Sequence, residues 1–163
     1  MNVQLNKHDL IRKFGSANKA RNVLAQMQAA LVAAEPFKGE VLDCEELAPQ
    51  FMEAIGSRSD ERFAAIFVDQ ARRQIGGIKV FEGGSRTRTT MYPRILFKEA
   101  IERDATGVIL SHNHPGGTCV PSPQDRDITR RIAEIGESLE IRLLDHILVT
   151  TREHVSFRRR GWL

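Results

Sequence analysis

The chain has 163 residues, 41% of them hydrophobic, and 24 Lys+Arg against 21 Asp+Glu give a net charge of +3, the make-up of one ordinary globular domain with its own core. Two cysteines, Cys44 and Cys119, exclude a disulfide scaffold and a four-cysteine zinc site, and no run of ~18 apolar residues exists to span a membrane. The first nine residues lack the apolar core of a signal peptide, so the expected location is a reducing cytoplasm, and so small a charge excess permits nucleic-acid contact without indicating it.

Residues 1–38 stand apart. Lys7, Arg12, Lys13, Lys19, Arg21 and Lys38 outweigh Asp9 and Glu35, and Ala20, Val23, Leu24, Met27 and Leu31 recur at helical spacing. The spacing predicts an amphipathic helix over 16–34, with Ser16 as N-cap and Pro36 and Gly39 ending it. Such a segment is either a basic arm facing DNA or a partner, or a helix packed on the main domain with a solvated basic face.

From Gly39 onward strands and helices alternate. Asp43 followed by Glu46 is the pattern of a capping box for a helix to about Ile55, although Pro49 falls inside it. Residues 63–69 (FAAIFVD) and 74–81 (QIGGIKVF) read as strands joined by a polar turn at 70–73. Residues 93–103 (PRILFKEAIER) read as a helix with proline at its first position, and 107–110 (GVIL) as a short apolar strand. A helix over 123–139, a strand over 142–150 (RLLDHILVT) and a last short strand over 154–157 complete the chain, before the basic run Arg158, Arg159, Arg160. The alternation predicts an α/β fold, a mixed β-sheet with helices on both faces, and apolar strands suit a sheet covered on both sides.

The chemistry sits in 111–125, S-H-N-H-P-G-G-T-C-V-P-S-P-Q-D. His112 and His114 are two residues apart after the strand at 107–110; if extended backbone continues through them, both rings point to one side, ~6.6 Å apart along the chain. Imidazoles so placed can converge on one metal ion. Pro115, Gly116 and Gly117 allow a tight excursion, and the chain returns at Ser122 and Asp125, where Asp125 offers a third, oxygen ligand. Three protein ligands leave a fourth position for water, as a catalytic zinc site requires. Ser122-Pro123-Gln124-Asp125 is also a good helix start, which accounts for Ser122 and Asp125 without metal. It does not account for two histidines beside a glycine-rich turn.

His112-x-His114, seven residues, Ser122, two residues, Asp125 resembles the JAMM signature of MPN+ (JAB) metalloproteins, with the spacing unchanged. The longer string S-H-N-H-P-G-G with P-S-P-Q-D looks like the RadC family, a bacterial branch of that fold, and E-R-F-A-A-I-F-V-D, Y-P-R-I-L-F-K-E-A-I, L-L-D-H-I-L-V and V-S-F-R-R-R-G-W-L resemble its pattern too. The resemblance covers about 42–163, so the chain divides into a basic N-terminal helical arm, 1–38, and a RadC-like domain, 39–163; the arm is too short for the helix-hairpin-helix region of longer RadC proteins. It implies an MPN/JAB fold related to cytidine deaminases, with zinc held by His112, His114 and Asp125. It also implies a glutamate from an earlier element working on the metal's water. Glu61, read as opening a strand over 61–69, is the best match, with Glu82 and Glu99 as fallbacks. Glu61 would take the water's proton and pass it to the leaving amine, and Ser122 would donate a hydrogen bond to the oxyanion.

The remaining polar residues carry less. Cys119 reads as an incidental loop thiol. Asp145-His146 reads as a buried, hydrogen-bonded pair on a strand, or as support for a metal ligand. Arg86, Arg88 and Arg94 read as scattered surface arginines, and His8 and His154 support no functional role. A zinc deaminase is disfavoured because its histidine-glutamate and P-C-x-x-C elements are absent. The expected function is zinc-dependent hydrolysis of a peptide or isopeptide bond in a protein substrate, in a DNA-repair or recombination context. The rivals are a metal-stabilised module binding DNA or a repair complex through residues 1–38 and Arg158–Arg160, and a metal-dependent nuclease. The intact ligand set with Glu61 favours the enzyme.

Overall fold

A computed structural model of the chain describes residues 43–81 and 91–163. The predicted helix over 16–34 and the residues Glu82, Arg86 and Arg88 lie outside them.

Five strands form one mixed sheet in the order β2-β1-β3-β4-β5. They are β1 (Phe63–Val68), β2 (Lys79–Phe81), β3 (Gly107–Asn113), β4 (Arg142–Val149) and β5 (His154–Ser156). β1 pairs antiparallel with β2 and β3, β3 runs parallel to β4, and β4 pairs antiparallel with β5. The parallel step needs a crossover, which the helix between the two strands supplies.

The sheet is apolar on both faces because both are covered. On β1, Ala64, Ile66 and Val68 point to one core and Phe63, Ala65 and Phe67 to the other. The first core is closed by residues 44–56, a single-turn 3-10 segment (Cys44–Leu47), a short α1 (Ala48–Phe51) and a π turn (Met52–Gly56). Pro49 falls in the first turn of α1, where its missing N–H interrupts nothing. The second core is closed by α2 (Pro93–Glu102) through Leu96, Phe97 and Ala100, and by α3 (Pro123–Ser138) through Ile132. The expected α/β sandwich is therefore present, with helices on both faces.

The strand expected over 74–81 is mostly absent from the ladder. Gly76 adopts a left-handed φ of 68°, which takes the chain out of extended pairing, so only Gln74, bridged to Val68, and Lys79–Phe81 remain paired. A second irregularity lies in β4. Val108 pairs with Leu143 but Ile109 pairs with Asp145, so Leu144 is an extra, bulged residue. Leu143 joins the second core and Leu144 the first, and beyond the bulge Ile147 and Val149 also face the first core. His146 is thereby turned to the other face, where it meets β3.

Candidate metal centre

The site lies at the end of β3, where strand, loop and helix start converge. β3 extends past the predicted apolar run to Asn113, so extended backbone does continue through His112. His114 follows one residue beyond the strand, its N–H donating to Val149 O at 3.1 Å. The two rings come to one side with their centroids 4.9 Å apart. Pro115-Gly116-Gly117 then turns the chain back, with Gly117 at φ 78° and its N–H donating to His114 O at 3.0 Å. That turn places the carbonyl of Thr118 3.0 Å from His114 Nδ1.

Asp125 arrives from the start of α3, which is fixed by a capping box. Ser122 Oγ accepts from Asp125 N–H, while Ser122 N–H and Oγ–H both donate to Asp125 Oδ2 at 2.7 Å. The same carboxylate faces the imidazoles: Oδ1 is 3.4 Å from His112 Nε2 and Oδ2 is 3.4 Å from His114 Nε2. The helix start read at 122–125 is present, and the carboxylate that closes its capping box also stands beside the two imidazoles.

The donor set suits a metal ion. A carbonyl only accepts, so Thr118 O fixes the proton of His114 on Nδ1 and leaves a lone pair on Nε2. The Nε2 atoms of His112 and His114 lie 3.2 Å apart. A tetrahedral ion with bonds of ~2.0–2.1 Å holds its donors ~3.3–3.4 Å apart. His112, His114 and Asp125 are also the cluster among the described residues whose donor atoms can share one ion.

Electrostatics agree with a cation-seeking site. Burial raises the Asp125 carboxyl, but the imidazoles of His112 and His114 beside it outweigh that and hold it well below the usual carboxylate range. The hydrogen bond to Asp125 raises His114 above its ordinary value against the opposing effect of burial, with Thr118 O and the charge of Glu61 adding to the rise.

Glu61 lies just before β1 rather than opening it, because strand pairing starts at Phe63. Its Oε1 is nonetheless 3.8 Å from His114 Nε2. The residue that holds this segment in place is Asn113, buried between the two histidines in sequence. Its Oδ1 accepts from Arg62 N–H at 2.7 Å, and its Nδ2 donates to Asp60 O at 3.1 Å. Glu99 is not at the site's disposal: Arg103 (2.7 Å) and Lys79 (3.2 Å) engage it on α2.

Other sequence candidates fall away from the ligand set. Cys119 sits with Sγ 3.9 Å from Leu148 O, its thiol pushed up by burial. Arg94 lies over the ring of Tyr92. Arg159 is bound to Asp43 and Glu45, and Arg158 donates to Leu144 O, so two of the three C-terminal arginines are engaged within the domain. His154 pairs with Glu45 at 3.2 Å.

An α/β sheet carrying a His-x-His strand end and an Asp at a helix start defines a JAB-type domain. Comparison with known proteins makes the class specific: the RadC-like JAB domain matches residues 41–162. A UPF0758 protein of Aliivibrio salmonicida is 36% identical over 146 residues, 85% of this chain and 65% of that protein. One from Shewanella piezotolerans matches equally over 64% of its length, and one from Burkholderia cenocepacia is 38% identical over 125 residues, 46% of its length. The chain belongs to the RadC-like JAB domain family, and it covers less than two thirds of these relatives' own length. No helix among the described residues is long and apolar enough to cross a membrane.

Proposed function

We propose that residues 39–163 form a zinc-dependent hydrolase domain of the JAMM type, acting on a peptide or isopeptide bond, with 1–38 as a separate basic arm. The observation that carries this is the convergence of His112 Nε2, His114 Nε2 and the Asp125 carboxylate, three acceptors turned toward one point. Zinc bound by these residues supplies a Lewis acid and lowers the pKa of a water to ~7.

The protein's own groups do the rest. Glu61, 3.8 Å from His114, would take a proton from the attacking water and deliver it to the leaving amine. Asn113 keeps the Glu61 segment in reach by clamping the backbone on either side of it. Ser122 holds Asp125 with its hydroxyl proton, and turning that proton toward the substrate would let it stabilise the oxyanion. Arg158 and Arg159 already have partners within the domain, which leaves the DNA-binding reading to residues 1–38 and Arg160.

The test is hydrolysis of peptide and isopeptide substrates by zinc-loaded protein, beside Glu61→Gln. The variant is expected to bind zinc as the wild type does and to lose cleavage by two or more orders of magnitude. Cleavage by Glu61→Gln at the wild-type rate would remove Glu61 from its role. Absence of cleavage by wild-type protein across both bond classes would overturn the hydrolase reading.

A further inference from the structure

The metal centre is backed by a third histidine, which the ligand set does not use. His146, on β4, is completely buried, and its Nε2 lies 2.8 Å from His112 Nδ1. Its Nδ1 lies 2.6 Å from Thr129 Oγ1, and Thr129 Oγ1 in turn donates to Asp125 O. Phe157 stacks on the ring of His146 at 4.6 Å and 24°, and the bulge at Leu144 turns that ring to this face of the sheet.

The direction of every proton in this chain follows from its end. The carbonyl of Asp125 only accepts, so the single hydroxyl proton of Thr129 goes to it. Thr129 Oγ1 therefore accepts from His146 Nδ1–H. His146 Nε2 then holds a lone pair and accepts from His112 Nδ1–H. His112 is left with its Nε2 lone pair facing His114 and Asp125.

We infer that His146 and Thr129 are positioning residues that lock His112 in the tautomer able to ligate a metal. This rests on the reading of His112, His114 and Asp125 as the metal centre. The two ligand histidines are thus set by different devices that end alike on a backbone carbonyl: Thr118 O for His114, and Asp125 O through Thr129 and His146 for His112. Because Asp125 is itself a ligand, Thr129 ties the backbone of one ligand to the ring state of another.

Thr129→Val keeps the side-chain shape and removes the hydroxyl. His146 then has no acceptor for Nδ1–H, and the favoured rearrangement moves its proton to Nε2. There it donates to His112 Nδ1 and drives the His112 proton to Nε2, where it blocks the lone pair. Two measurements on the full chain test this. The first is ring 15N NMR of the metal-free protein at a pH where the histidines are neutral. Wild type is expected to carry its protons on Nδ1 of both His112 and His146, and Thr129→Val to reverse both. The second is zinc affinity by competition with a chromophoric chelator, with thermal melts to show that each variant is folded. Thr129→Val is expected to bind zinc roughly tenfold to a hundredfold more weakly, and Thr129→Ser to recover most of the loss.

A wild-type His146 protonated on Nε2, or zinc binding by folded Thr129→Val at wild-type strength, would overturn the inference while leaving the metal centre standing. Failure of wild-type protein to bind zinc at all would overturn the metal centre and the positioning role together.

Discussion

Acceptor atoms that meet with no donor between them repel unless a cation joins them, and His112 Nε2 and His114 Nε2 meet at 3.2 Å beside a carboxylate. In the metal-free protein the hydrogen bond to Asp125 raises the His114 pKa above the ordinary 6.5 and so favours a proton on that ring. The sign follows from linkage. The raised His114 contributes stability that is fully present below 6.5 and is lost as pH rises through its folded value. His146 acts in the opposite sense: burial lowers it well below 6.5, so the folded state is disfavoured as pH falls through that value and the unfolded chain takes up a proton. The metal-free protein is therefore expected to melt highest near neutrality and lower at both pH 5 and pH 9. Zinc bound in place of the His114 proton would shrink the alkaline limb. Melts across this range check it; a metal-free melting temperature that climbs steadily to pH 9 would contradict it. Much of this was legible in sequence, because H-x-H spacing on a strand puts both rings on one side. The roles of Asn113 and Thr129 were not, and Asp145-His146 was read only as a buried pair or as support for a metal ligand, because the contacts of Asn113 with 58–60 and of His146 with His112 and Thr129 join residues 17 to 55 apart.

The elements were legible where one period ran unbroken and lost where the backbone changed hand or step. Pro93 at the start of α2 and Ser122-Pro123-Gln124-Asp125 at the start of α3 marked their helices to within a residue or two. Strand β2 was overdrawn because Gly76 turns the chain left-handed inside an apolar run. The bulge at Leu144 defeats a period of two altogether: counted from Leu143, alternation puts Asp145 on the site face, whereas the structure puts His146 there. Asp145 instead lies buried against Ser156, its carboxyl raised by burial. A further constraint joins α3 to β4. A Cβ at Gly136 would stand 2.3 Å from Ile141 O, and Ile141 N–H donates to Gly136 O at 2.8 Å, so helix and chain touch backbone to backbone. Gly136→Ala is expected to destabilise the domain by about 1–3 kcal/mol despite the better helix propensity of alanine. Chemical denaturation measures it; a variant as stable as wild type would show that the junction yields.

At the scale of the molecule, a sheet covered on both faces presents a loop and one helix start at the end of β3, and the candidate ligands come from the strand end, the loop and the helix start. The family assignment spans nearly all of the described domain, residues 41–162, while the function proposed for it rests on the metal centre. Metal content of protein purified without chelator, wild type beside His112→Ala and Asp125→Ala, tests that centre most directly. The account predicts about one zinc per wild-type chain, lost in both variants, and a stabilisation of ~2.7 kcal/mol when free zinc reaches a hundredfold excess over Kd. Wild-type protein that holds no zinc even when zinc is offered, and melts no higher in its presence, would contradict it.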